Sequence, residues 1–75
     1  PTSDRLSITA TARTTGRVVL RLTNALGVEL ISSEQRVNAG TQYRQEFDVA
    51  SLPHGVYFVE VQDGTARSVR KVVKN

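Results

Sequence analysis

Glycine placement constrains this chain more than any other feature. The five glycines stand at positions 16, 27, 40, 55 and 64, at intervals of 11, 13, 15 and 9 residues. Each closes a local turn signature: Thr14-Thr15-Gly16, Asn24-Ala25-Leu26-Gly27, Asn38-Ala39-Gly40, Pro53-His54-Gly55 and Asp63-Gly64. Glycine reaches positive φ without a Cβ clash, and this is why turns collect it. Turns recurring at about 8–12 residues are the mark of a sandwich or barrel. The intervals are too short for a helix with its connections, which argues against a βαβ arrangement.

Between the glycines the residues alternate. Leu6, Ile8, Ala10 and Ala12 fall on one face of a first segment, with Ser7, Thr9 and Thr11 opposite. Val18, Leu20 and Leu22 line one face of a second, backed by Val19, Arg21 and Thr23. A third run, Val28 to Ser32, is short, and Leu30 and Ile31 compete for its core side. Tyr43, Phe47 and Val49 share a face against Gln42, Arg44, Glu46 and Asp48, as do Tyr57, Val59 and Val61 against Phe58, Glu60 and Gln62. Period 2 sends one face of each strand to the core and the other to water. The pattern predicts a small immunoglobulin-like antiparallel β-sandwich of six or seven strands.

Asp63-Gly64 is the strongest hairpin signal, and a type I′ turn is expected there, with positive φ at both central residues. The strand after it, Ala66 to Lys74, has two possible phases. Val69 and Val73 lie on one face and Val72 on the other, which a bulge or an edge position would reconcile. Tyr57 also has two readings. It stands two residues after the Pro53-His54-Gly55 corner, as in the tyrosine corner of immunoglobulin-like sandwiches. Otherwise it is an ordinary core aromatic with its hydroxyl at the rim.

Seventy-five residues make one domain at most, able to bury roughly 60% of the unfolded surface. No cysteine is present, so no disulfide contributes, and a single histidine builds no metal site. The absence of cysteine is compatible with a reducing or an oxidising compartment. No apolar run approaches the roughly 20 residues that span a bilayer, and no direct membrane insertion is expected. The chain opens on Pro1-Thr2-Ser3-Asp4 without a methionine, and is read as a fragment cut from a longer protein.

Chemistry is scarce. His54 sits in a turn with no nucleophile or orienting carboxylate near it in sequence, as a general base requires. Glu46 and Asp48 lie two apart on a polar strand face, without the cleft a glycosidase pair needs. There is no phosphate-cradling glycine loop and no calcium loop. The expectation is a domain that is not an enzyme and takes no cofactor.

The net charge is +3, and the last twelve residues carry Arg67, Arg70, Lys71 and Lys74 with no acid. A basic end attracts phosphate or an acidic surface, and charged residues also keep an edge strand from aggregating. Nucleic-acid binders of the strand-face type stack bases on exposed aromatics. Of Tyr43, Phe47, Tyr57 and Phe58 only Phe58 points outward by the alternation, so nucleic acid is not an expected partner. The outward ring fits better against a neighbouring domain or a covered sheet edge.

The ordered motifs resemble one known family. Gly55-Val56-Tyr57-Phe58-Val59-Glu60-Val61, the turn glycine Gly64 and the ending Lys71-Val72-Val73-Lys74-Asn75 are similar to the close of the type A sorting domain of the type IX secretion system in Bacteroidota. Asn24-Ala25-Leu26-Gly27 stands where that family has a polar turn ending in glycine. Pro1 matches the last proline of its opening Pro-Asn-Pro element, followed by the strand beginning at Leu6. The likeness runs over almost the whole chain and is densest in its last third. It makes Pro1, Gly27, Gly55, Tyr57, Val59, Val61 and Gly64 the residues that build the fold.

The resemblance implies a C-terminal secretion signal covalently attached to a cargo domain upstream. Its implied partners are the type IX translocon, an outer-membrane shuttle protein and a surface sortase-like protease that usually cuts the signal off. The implied route runs through the periplasm to the outer membrane, the cell surface or the medium. As a recognition site the sequence offers its terminal basic strand: Arg67, Arg70, Lys71, Val72, Val73 and Lys74. The alternative is a fibronectin-like or carbohydrate-binding accessory sandwich of an extracellular protein, which gives the ending Lys71-Val72-Val73-Lys74 no special role.

Overall fold

Strand follows turn along the whole chain. The computed structural model describes residues 4–75; Pro1 lies outside them. Six strands form: β1 (Arg5–Thr11), β2 (Gly16–Asn24), β3 (Glu29–Val37), β4 (Gln42–Asp48), β5 (Gly55–Asp63) and β6 (Ala66–Lys74). They make two antiparallel sheets, one of four strands in the order β3-β2-β5-β6 and one of two, β1-β4. The fold is an all-β sandwich, as expected from the alternation.

The core forms where the inner faces meet. Leu20, Leu22 and Val18 of β2 and Val59 of β5 supply the floor of the larger sheet. Phe47, Tyr43 and Ile8 supply the ceiling, and Leu6, Val61 and Val72 pack around them. Leu20 is fully buried. Each such aliphatic side chain contributes about 1.5–3 kcal/mol by leaving water, which a chain without disulfides depends on.

The larger sheet corrects two sequence expectations. The third strand is longer than Val28 to Ser32 and runs on to Val37. Its inner positions Ser33 and Gln35 are polar, so apolar alternation does not reveal them. They are accommodated because Gln45 of β4 accepts from the Ser33 hydroxyl at 2.7 Å and from Gln35 Nε2 at 2.9 Å. The contest between Leu30 and Ile31 is resolved by a bulge. Leu22 pairs with Ile31 and Thr23 with Glu29, so Leu30 is left over and exposed while Ile31 turns inward.

The second correction concerns the last hairpin. Asp63 pairs with Ala66, so the two central turn residues are Gly64 and Thr65. Gly64 has φ +63°, while no non-glycine residue described here has positive φ. One positive φ, at the first central residue, is the pattern of a II′ turn and not of I′. A Cβ on Gly64 would also lie 2.7 Å from Thr14 Cγ2, so conformation and space both demand glycine. Asp63 is thereby released from the turn and becomes the last residue of β5.

Candidate functional site: the C-terminal strand and the crossover it holds

Among the described residues the final strand β6 is an edge strand, paired with β5 alone and without a register shift. Its phase is set by its neighbour. Val72 pairs with Tyr57, Arg70 with Val59 and Ser68 with Val61, all inner-face residues of β5. The even positions therefore face inward, and Val72 is the valine that packs on the core. Val69 and Val73 stand on the outer face, 60% and 42% exposed. Of the two explanations for the ambiguous phase, the edge position holds.

This phase divides the basic residues of the tail. Arg67 lies on the outer face and donates to Glu60. Lys71 is exposed beside Phe58, its cross-strand partner. Arg70 belongs to the inner face yet is exposed, because the two-stranded sheet does not reach over it. Lys74 behaves differently from all of these. It is only 8% exposed, and its ammonium donates to the carbonyls of Val49 at 2.6 Å, Ala50 at 3.0 Å and Leu52. A buried ammonium has three donors to place, and here all three are used.

Those carbonyls belong to the crossover from β4 to β5. The next carbonyl along, that of Pro53, accepts from the Tyr57 hydroxyl at 2.6 Å. Tyr57 is thus a tyrosine corner, the first of its two sequence readings. Lys74 and Tyr57 between them satisfy four carbonyls of one connection that changes sheets. The end of the chain is thus fastened to the middle of the chain.

The other end of the β5–β6 hairpin is held by Asp63. Its buried carboxylate accepts from the Arg13 amide at 2.6 Å, the Thr14 hydroxyl at 2.7 Å and the Thr14 amide at 3.3 Å. The Arg13 amide, then the Thr14 hydroxyl, lowers the pKa below its ordinary 3.8, because hydrogen bonds to the charged form favour it. Nearby Tyr43 shifts upward from 10.0, first through burial and then through the charge of Asp63.

On the outer face a charged ladder crosses all four strands. Arg21 of β2 reaches Glu29 of β3 at 3.2 Å and Glu60 of β5 at 2.9 Å, and Glu60 also takes Arg67 of β6. The Arg67 hydrogen bond, with Arg21 in support, holds the Glu60 pKa below the ordinary 4.5. Phe58, half-buried, sits next to this ladder with Val56 and Val73 in the adjoining row.

Of the residues that the resemblance marks, Pro1 lies outside the described ones and Tyr57 holds the crossover. Gly27 and Gly64 occupy turns at φ +84° and +63°, and Gly55 opens β5 at φ +148°. Val59 is buried and Val61 is half-buried against the core. A family model of the secretion system C-terminal sorting domain matches residues 1–75, the whole chain. The chain belongs to that family. It is a sorting signal for type IX secretion, so the route of the attached protein leads to the outer membrane, the cell surface or the medium. The match decides for the sorting reading over a fibronectin-like or carbohydrate-binding module. No curated protein and no solved structure matches the sorting domain.

Three features of the sorting domain escaped the sequence reading: the Lys74 clasp, the buried Asp63 and the gap beside β1. Lys74 lies two residues after Val72, so inner-face alternation carries a signal for the first. Asp63 was masked by its own turn signature. The gap has no signal in the sequence, since it arises from how two sheets of unequal width overlap.

Proposed function

We propose that the sorting domain is read through its C-terminal strand by the type IX translocon and the outer-membrane shuttle protein, and performs no chemistry of its own. The observation that carries this is the edge position of β6, whose outer rim has no strand beside it among the described residues. An edge strand offers backbone donors and acceptors to a receptor, as in β-augmentation. Arg67, Arg70 and Lys71, together with Val73 on the outer face, supply the charge and apolar contact that give selectivity and encounter rate. Val72 and Lys74 act from beneath by fixing the strand in place.

The same reading makes residues 1–75 part of a larger exported protein with its cargo covalently upstream. The parent crosses the periplasm, and a sortase-like protease then removes the signal at the surface. Deleting Lys71 to Asn75 from a reporter fusion should abolish surface delivery while the fusion still accumulates in the periplasm. That deletion also removes the Lys74 clasp, so Lys71→Glu, which leaves the clasp intact, is the companion variant. Normal surface delivery of both would overturn the reading.

A further inference from the structure

The sandwich is open along one side. Its four-stranded sheet extends past its two-stranded one, and a groove of about 210 Å³ lies between β1 and β6. Ile8, Tyr43, Val59 and Val61 line its apolar depth, and Thr9 and Ser68 stand on its two walls. The inner-face residues Ser68 and Arg70 are exposed here, although their cross-strand neighbours Val61 and Val59 pack into the core. Among the described residues the smaller sheet has no strand at the position that would cover them.

The backbone of β1 is arranged to receive that strand. Val49 N–H donates to Asp4 at 2.9 Å and Ala12 N–H to Thr41 at 2.8 Å, which makes residues 4 and 12 hydrogen-bonded positions of the β1–β4 ladder. Bonded positions alternate along an antiparallel strand. The even residues of β1 therefore bond to β4, while Ser7, Thr9 and Thr11 direct their N–H and C=O groups away from it. That edge pairs with no strand among the described residues.

Charge selects the occupant. Arg13 and Arg70 line the groove, and among the described residues neither forms a close salt bridge, Arg13 acting on Asp63 only through its longer-range charge. The one carboxylate on the lining, Asp63, is engaged by the Arg13 amide and by Thr14. From this geometry we infer that the groove binds an extended acidic segment of a partner protein. The segment adds a third strand to the β4-β1 sheet, with alternate apolar residues on Ile8 and Val61 and carboxylates on Arg13 and Arg70. This surface lies on the β1 side of the hairpin and shares Arg70, but not the outer face of β6, with the strand proposed for export; the inference rests on the export reading only for where such a partner is met.

The probe is a synthetic ten-residue peptide of alternating valine and glutamate, compared with one bearing lysine in place of glutamate. Titrated into the 75-residue domain and followed by amide chemical shifts, the acidic peptide should saturate and move the β1 and β6 signals. The lysine peptide should not bind. Arg70→Glu with Arg13→Glu should weaken binding about tenfold or more at low salt, and less as salt screens the rim. Thr9→Pro removes an edge donor without touching the β4 ladder and should weaken it similarly; the exposed Arg70→Glu change keeps the test valid if the proline disturbs folding.

Absence of saturation, equal binding of the two peptides, shifts confined to the outer face of β6, or a concentration-dependent dimer that fills the groove would each overturn the inference. Surface delivery of a fusion carrying the unchanged domain is the separate readout. Its failure would sink the export reading and leave the peptide result standing.

Discussion

The two long sides of this sandwich are built from the same kind of strand and end differently. On the β3–β4 side, Gln45 bridges the sheets through Ser33 and Gln35, and Gln35 also donates to the Arg44 carbonyl at 2.8 Å. On the β1–β6 side no such bridge spans the middle among the described residues, and the sheets are tied near the two ends of β6 instead. Asp63 gathers the β1–β2 turn at one end, and Lys74 grips the β4–β5 crossover at the other. The difference shows how a small sheet pair stays folded with one side open. Ties at both ends hold the wall in place and leave the middle accessible.

The heaviest expected effect comes from cutting the tie that keeps the open side in shape. Lys74→Met retains the apolar stem but leaves one buried and two part-buried carbonyls without that donor. It should cost about 3 kcal/mol, on the order of 15 °C in melting temperature. A loss below about 1 kcal/mol in urea titration would mean that the clasp is incidental.

Asp63→Asn attacks the other tie and should cost about 2 kcal/mol at neutral pH. The pH dependence gives this prediction its sign. The folded pKa of Asp63 lies below its ordinary 3.8, so its stabilisation is present above that value and is lost as pH falls through the lower, folded one. Melting curves between pH 5 and pH 2, a window of about 3 pH units, should therefore fall less steeply for the asparagine variant. Parallel curves would show that another carboxylate governs the acid limb.

On the closed side, Gln45→Ala should cost about 1 kcal/mol and speed amide exchange in β3 while leaving β6 protected. Equal acceleration in both strands would erase the distinction between the two sides. The smallest change is expected from Val69→Thr on the exposed outer face, within about 0.5 kcal/mol by thermal melting.

Much of this architecture was legible before any coordinates. Glycine spacing and period-2 alternation placed β1, β2, β4 and β5 on their inner residues, because an apolar row next to a polar row has only one stable orientation toward water. The motif around Gly55 and Tyr57 identified the family through residues that build the fold. Where alternation weakened, reading failed for physical reasons. Ser33 and Gln35 face inward only because Gln45 sits opposite, and Asp63 resembles a turn residue until its register with Ala66 is known. The tail read as one basic strip; pairing with β5 divided it into an outer face, an exposed inner arginine and a buried lysine.

The sequence alone determined the class of fold and every strand-forming segment except the extent of the third, since these depend on local φ preference and on the period of apolar residues, and its ordered motifs pointed to the family that the match over residues 1–75 then showed. The tertiary structure decided which valine of the last strand is inside, what Lys74 and Asp63 bind, and which side of the sandwich stays open. Those outcomes depend on groups far apart in the chain meeting across a gap, and no local pattern encodes the width of one sheet relative to the other.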